Sequence, residues 1–235
     1  MVREEIILGG RACQIWAEEA VAAGRTGVQC LLVQTMGRHE RPSLEREVSL
    51  IAGGGRPWAM AFFEVFDWAT DLTPWPDPKI DRNPEVGRHA EETLAFVTNT
   101  LLPALTDRIG PVPVILGGYS LAGLFALWAA YQQPLFAAVA AASPSVWIRG
   151  WMPFVQSRTL LTPKVYLSLG IKEEKTRNRV LAQVGDNIRA YHDLLTHSLG
   201  EEHTALVWHN GGHFTDCTLR LAQAITWCIN RITTS

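Results

Sequence analysis

Two rhythms of apolar residues alternate along this chain. Val28 to Gln34 and Trp58 to Val65 are near-continuous apolar runs, the pattern of strands buried on both faces. Pro113 to Leu116, Phe136 to Ala142, Val165 to Leu169 and Thr204 to His209 read as further short strands. Between them lie stretches with helical spacing. Leu94, Val97, Leu101 and Leu105 share one face of a helix over Arg88 to Leu105, and Val180, Val184, Ile188, Tyr191 and Leu195 share one face over Thr176 to Ser198. Leu44 to Ala52, Leu121 to Gln132 and Phe214 to Ile232 complete the expected helices, and Val146 to Ser157 contains a short one. Two brief apolar runs about Gly9-Gly10 predict an antiparallel hairpin over Glu4 to Glu19. Glycine turns are expected at Gly24 to Gly27 and at Gly53-Gly54-Gly55.

From Val28 onward, strand and helix take turns. That order calls for an α/β fold, a mostly parallel sheet with helices on both faces. One segment breaks it. Asp67 to Glu85 carries Pro74, Pro76, Pro78 and Pro84 with Trp68 and Trp75, and reads as a long surface loop able to supply apolar walls to a pocket. No repeat or linker divides the chain, so one domain over residues 1–235 is the expectation.

Composition narrows the function classes. With 47% hydrophobic and 19% charged residues the chain is an ordinary globular one. A net charge of −2 with scattered basic residues offers no nucleic-acid footprint and no polybasic membrane patch. No apolar run approaches the roughly 20 residues that span a bilayer, and Met1 to Leu8 is too charged for a signal peptide. Cys13, Cys30, Cys217 and Cys228 form no CxxC pair and no metal-ligand spacing. The expectation is a cytoplasmic protein.

The chemistry concentrates at Leu116-Gly117-Gly118-Tyr119-Ser120-Leu121-Ala122-Gly123, between a strand and an apolar helix. A nucleophile on a sharp strand-to-helix turn needs small neighbours, and Gly118 and Ala122 flank Ser120 at two residues on either side. The helix N-terminus then offers free amides, with that of Leu121 as one half of an oxyanion hole. A serine N-cap in a glycine-rich turn would have the same sequence, so the assignment needs a base. His213, in His209-Asn210-Gly211-Gly212-His213, lies between the last strand and the last helix, where a base is expected at the serine's edge of the sheet. His209 and His213 could instead be read as a metal pair, but Gly211-Gly212 argue against the helix that pairing needs. The third group should follow the strand Val165 to Leu169. Glu173 is preferred there and Glu174 is the alternative, against a bland role for both as first-turn acids of the next helix.

Ser120 in its turn, Ser143-Pro144-Ser145 with Trp147, Gly170-x-x-Glu173 and Gly212-His213 resemble the family known as putative esterases. That family is a branch of the α/β-hydrolases that includes enterochelin esterases, feruloyl esterases and S-formylglutathione hydrolase. The likeness runs over about the C-terminal half. Asp67-Trp68 through Trp75 is also similar to a Trp-Pro loop of bacterial members. The resemblance implies the α/β-hydrolase fold and hydrolysis of a small-molecule carboxylic ester through an acyl-enzyme, a mechanism that needs no metal or organic cofactor. The chain is short, and no large lid domain is expected. Family members often carry His-Gly after the first buried strand. Thr35-Met36-Gly37 stands there instead, which makes Met36 or a neighbour the candidate second oxyanion donor. Tyr119, Trp147 and Trp75 either wall the substrate pocket or pack in the core. Exposed aromatic loops would allow a homodimer. The rival functions are a catalytically silent fold used for binding, and a thioesterase or amidase with the same triad.

Overall fold

The computed structural model describes residues 1–23, 27–52, 55–81 and 83–232. The turns expected at 24–26 and 53–54 lie outside the described residues. Eight strands form a single sheet in the order β1-β2-β4-β3-β5-β6-β7-β8. They are β1 Val2–Leu8, β2 Arg11–Ala17, β3 Cys30–Met36, β4 Trp58–Glu64, β5 Val114–Tyr119, β6 Phe136–Ala142, β7 Val165–Gly170 and β8 Thr204–His209. From β4 to β8 every neighbouring pair is parallel. The β1–β2 hairpin joins the β4 edge antiparallel. Gly9 and Gly10, at φ 51° and 79°, make the tight turn that aligns Leu8 with Arg11.

Helices cover both faces. On one, Leu44–Leu50 and Cys217–Ile229 bury Leu44, Val48, Leu221, Ile225 and Ile229 against Leu32, Met60 and Ile115. On the other, Ala90–Phe96, Leu102–Ile109, Leu121–Gln132 and Val184–Leu199 enclose Val33, Phe63, Leu116 and Val139. The central helix Leu121–Gln132 is buried over all but its last two residues. Its side chains are therefore apolar all round rather than striped.

Three local expectations are corrected. The segment after Asp67 opens with a short helix, Trp68–Leu72, capped by Asp67 accepting from the Thr70 amide at 2.7 Å; its prolines begin only at Pro74, after the helix has ended. β5 continues through Gly117-Gly118 to Tyr119, because those glycines belong to the strand and the turn comes at Ser120. The helix expected over Thr176 to Ser198 is broken into Arg179–Ala182 and Val184–Leu199, with a 3₁₀ turn at Glu173–Lys175 before them. Among the described residues, no helix is long and apolar enough to cross a membrane.

Candidate active site

The C-terminal ends of β5, β6, β7 and β8 share one rim of the sheet, where open α/β sheets form their binding crevices. Ser120 stands on it between β5 and the helix Leu121–Gln132, at φ 60° and ψ −119°. A non-glycine residue rarely takes a positive φ, and such strain clusters at functional sites. The turn is possible because Gly118 lets strand and helix nearly touch. A Cβ there would lie 2.3 Å from the Ala122 carbonyl carbon. Ser120 N donates to Ala142 O at 3.1 Å, and Ser145 N donates to Ser120 O at 3.1 Å, so the turn is tied to β6 and its following loop. Leu121 opens the helix, so its amide has no intrahelical acceptor.

The loop after β8 brings His213 to this rim. Gly211 has φ 106°, the Gly211 carbonyl accepts from Lys172 N at 3.0 Å, and Thr215 N donates to Gly212 O at 3.1 Å. Tyr119 fixes the His213 backbone from below, its hydroxyl donating to His213 O at 2.5 Å. The His213 ring spans two side chains. Nε2 lies 3.0 Å from Ser120 Oγ and Nδ1 lies 2.7 Å from Glu173 Oε2.

Glu173 follows β7 directly. Its Oε1 accepts from Gly170 N at 2.7 Å, from Ser143 Oγ at 2.7 Å and from Arg220 at 3.0 Å. Burial would raise this carboxyl, but the hydrogen bonds from His213, Ser143 and Gly170 outweigh it and hold it down to about 2. Glu174 turns the other way and pairs with Arg189 at 2.7 Å on the helix Val184–Leu199.

Two hollows open on either side of Ser120, and Trp68, His213 and Phe214 border both. The larger, about 520 Å³, is walled by Trp147, Ile80 and Leu181 and carries Lys79 and Lys172. The other, about 430 Å³, lies against Tyr119, His39 and Glu40 and the helix Leu44–Leu50 at Glu47.

The remaining expected residues sort as follows. Trp147 borders the larger hollow and Tyr119 the smaller. Trp75 borders neither. Its indole donates to Arg149 O at 2.8 Å and its ring stacks on Trp151, so it fastens the proline-rich loop to the body of the protein. Met36 also borders neither hollow. Its side chain is fully buried and its carbonyl accepts from Val65 N at 3.2 Å. Sequence reasoning missed Arg220, Phe214 and Lys79. Arg220 had a legible signal, as the one charged residue of its helix, set between Leu219 and Leu221. Phe214 is 91% exposed beside His213, and nothing in the sequence set it apart. Among the described residues no group of three or more His, Cys, Asp or Glu is arranged to hold a metal.

The sheet order, the crossovers and the strained serine turn define an α/β-hydrolase. A family model described as "Putative esterase" matches residues 56–217. The chain belongs to that family and is an ester-hydrolysing enzyme. No curated protein matches by sequence. Solved structures do match by fold. An IroE-like serine hydrolase from Shewanella oneidensis superposes with a TM-score of 0.74 at 17% identity, covering 96% of this chain and 79% of that one. The siderophore hydrolase EstA from Aspergillus nidulans gives 0.75 at 17% identity, covering 97% and 94%. The enterochelin esterase from Shigella flexneri gives 0.66 at 16% identity, covering 97% of this chain and 58% of that one.

Proposed function

We propose that this enzyme cleaves carboxylic esters of small molecules through an acyl-enzyme on Ser120, with His213 as general base and Glu173 as the group that orients it. The observation that carries this reading is the placement of the His213 ring, 3.0 Å from Ser120 Oγ on one side and 2.7 Å from Glu173 on the other. Both distances lie within proton-transfer reach.

In the first half-reaction the Ser120 proton passes to His213 Nε2 while Oγ attacks the ester carbonyl. The Leu121 amide, at a helix N-terminus, faces the developing oxyanion. His213 then gives its proton to the departing alcohol oxygen. In the second half-reaction water loses a proton to His213, attacks the acyl carbonyl, and Ser120 leaves as an alcohol. Glu173 remains ionised throughout. Its role is to accept from Nδ1–H and hold the tautomer with Nε2 free. The fold neighbours described as siderophore hydrolases and enterochelin esterase favour an ester of a polar small molecule, and the lysines of the larger hollow suit an oxygen-rich or anionic portion of it.

A fluorophosphonate probe tests the nucleophile. Covalent labelling that disappears in Ser120→Ala supports the mechanism, whereas no labelling of the wild-type chain points to a silent binding fold. Initial rates on matched p-nitrophenyl ester, anilide and thioester substrates separate esterase from amidase and thioesterase.

A further inference from the structure

The smaller hollow beside Ser120 has an unusual lining. Glu40 and Glu47 line it together with the rings of Trp68, Tyr119 and Phe214; among the described residues its lining includes the imidazoles of His39 and His213 but no lysine or arginine. Glu47 projects from the inner side of the helix Leu44–Leu50 and is 4% exposed. Its Oε2 meets Gln34 Nε2 at 3.5 Å, the outer limit of a hydrogen bond, and its Oε1 has no partner. Glu40 Oε2 accepts from the Gly37 amide at 3.0 Å. Burial raises both carboxyls, Glu47 to about 8 with the nearby Glu40 adding to the effect, and Glu40 to about 7.

A buried carboxyl without a cation is costly, and the chain places one, Glu47, at a hollow next to its nucleophile, with the half-buried Glu40 beside it. Core packing does not require the charge, since a glutamine would fill the Glu47 position and still accept from Gln34 without the penalty. Aromatic faces and unpaired carboxylate oxygens together are the combination that binds an ammonium group. The unpartnered Glu47 Oε1 favours a cation with N–H donors over a quaternary one.

We propose that this hollow holds a protonated primary amine of the substrate, so that the enzyme acts on esters carrying an ammonium group on the side of the scissile bond facing Glu47. The proposal rests on the Ser120 hydrolase reading and names the class of ester that reading leaves open. Ser120 borders both hollows, so a substrate reacting there reaches into each. Lys79 and Lys172 in the larger hollow repel a cation and fix which end enters the smaller one.

The test is binding to the whole protein, measured by calorimetry with pentylammonium and with its neutral counterpart 1-pentanol. At pH 9 the amine is still mostly protonated, since alkylammonium groups titrate near 10.4 as in lysine, and Glu47, raised to about 8, is mostly ionised. Pentylammonium should bind about tenfold or more tightly than pentanol, the combined effect of a cation–π contact and a charge-assisted hydrogen bond. That preference should vanish in Glu47→Gln and shrink in Glu40→Gln. Equal binding of the two ligands to the wild-type protein overturns the proposal, with no variant needed. A preference that persists in a folded Glu47→Gln protein also overturns it. Because the readout is binding, its failure is distinct from failure of the Ser120 mechanism, which fluorophosphonate labelling reports. As a second readout, p-nitrophenyl 6-aminohexanoate and 5-aminopentyl acetate are compared with p-nitrophenyl heptanoate and hexyl acetate. The ratio of kcat/KM within at least one pair should favour the amine and fall toward one in Glu47→Gln; ratios near one in both pairs for the wild-type enzyme count against the proposal.

Discussion

Arg220 and Glu173 meet at 3.0 Å in a setting that gives neither much access to water, with the Arg220 side chain 1% exposed and that of Glu173 5%. The contact divides the carboxylate's work. Oε1 is held by Arg220, Ser143 and Gly170, which leaves Oε2 for His213. Arg220 also reaches the Gly212 carbonyl at 3.3 Å, one residue before His213, so one side chain braces both the acid and the loop that carries the base.

Removing Arg220 should therefore cost stability and rate together. Breaking a buried ion pair from one side costs about 3–5 kcal/mol. Here the lower end is expected for Arg220→Met, because Gly170, Ser143 and His213 still satisfy the carboxylate. Urea denaturation reads the loss of stability. Arg220→Lys keeps the charge and should recover part of it. A loss under about 1 kcal/mol in Arg220→Met would show that the brace is dispensable.

Glu173 and Glu174 are neighbours in sequence with opposite expected effects. Glu173→Gln should lower kcat on the order of 10³–10⁴-fold, since an amide can no longer hold the His213 tautomer as a carboxylate does. Glu174→Gln removes only a partly exposed pair with Arg189 and should stay within a few-fold of wild type. Steady-state rates on one p-nitrophenyl ester decide between them, and a larger loss in Glu174→Gln would reverse the assignment.

The same carboxylate sets an acid limit. Glu173 titrates near 4.5 when unfolded and is held down to about 2 in the fold. Its contribution is complete above the unfolded value and disappears as pH falls from 4.5 toward 2. The amount at stake is on the order of 3 kcal/mol. Stability curves of wild type and Glu173→Gln should therefore converge across that window. Parallel curves would mean that the fold does not hold the carboxyl down.

Much of this arrangement was legible before any coordinates. The strands Phe136–Ala142 and Thr204–His209 and the helix Leu121–Gln132 follow from apolar runs whose ends are marked by polar or glycine residues. The positions of Ser120, Glu173 and His213 at strand ends follow from chain order. What stayed hidden depends on contacts between distant segments. Nothing local says that Ser143 Oγ points at Glu173, or that Glu174 is drawn away by Arg189 fifteen positions later. Tryptophan is equally ambiguous: Trp75 lies between prolines and Trp147 between Val146 and Ile148, yet neither context says which lines a pocket, and only the fold separates the fastener from the pocket wall.

Gly118 carries a tight backbone constraint directly beside Ser120. A methyl group there would press on the Ala122 carbonyl at 2.3–2.4 Å, and the atoms in the way are backbone. Overpacking ordinarily costs about 1–3 kcal/mol because side chains can yield. A strand and a helix cannot yield so easily, so Gly118→Ala should reach or exceed the upper figure and displace Ser120. Thermal unfolding and fluorophosphonate labelling should both fall. Full labelling in a stable Gly118→Ala protein would show that the elbow has slack.

Trp147 and Trp75 should separate selectivity from stability. Trp147 borders both the hollow of about 520 Å³ at Ser120 and a neighbouring one of about 480 Å³ beyond it, whose lining includes Met152 and Asn187. Trp147→Ala removes the ring between them and should let longer esters enter. Each methylene accommodated in an apolar pocket is worth about 1–3 kcal/mol, so the preferred chain length in a p-nitrophenyl ester series should move up by two or more carbons. Trp75→Phe keeps the stack on Trp151 but loses the donor to Arg149 O, a cost of about 1 kcal/mol in stability with chain-length preference unchanged. If Trp75→Phe shifts the preference and Trp147→Ala does not, the wall of the pocket is formed by the other tryptophan.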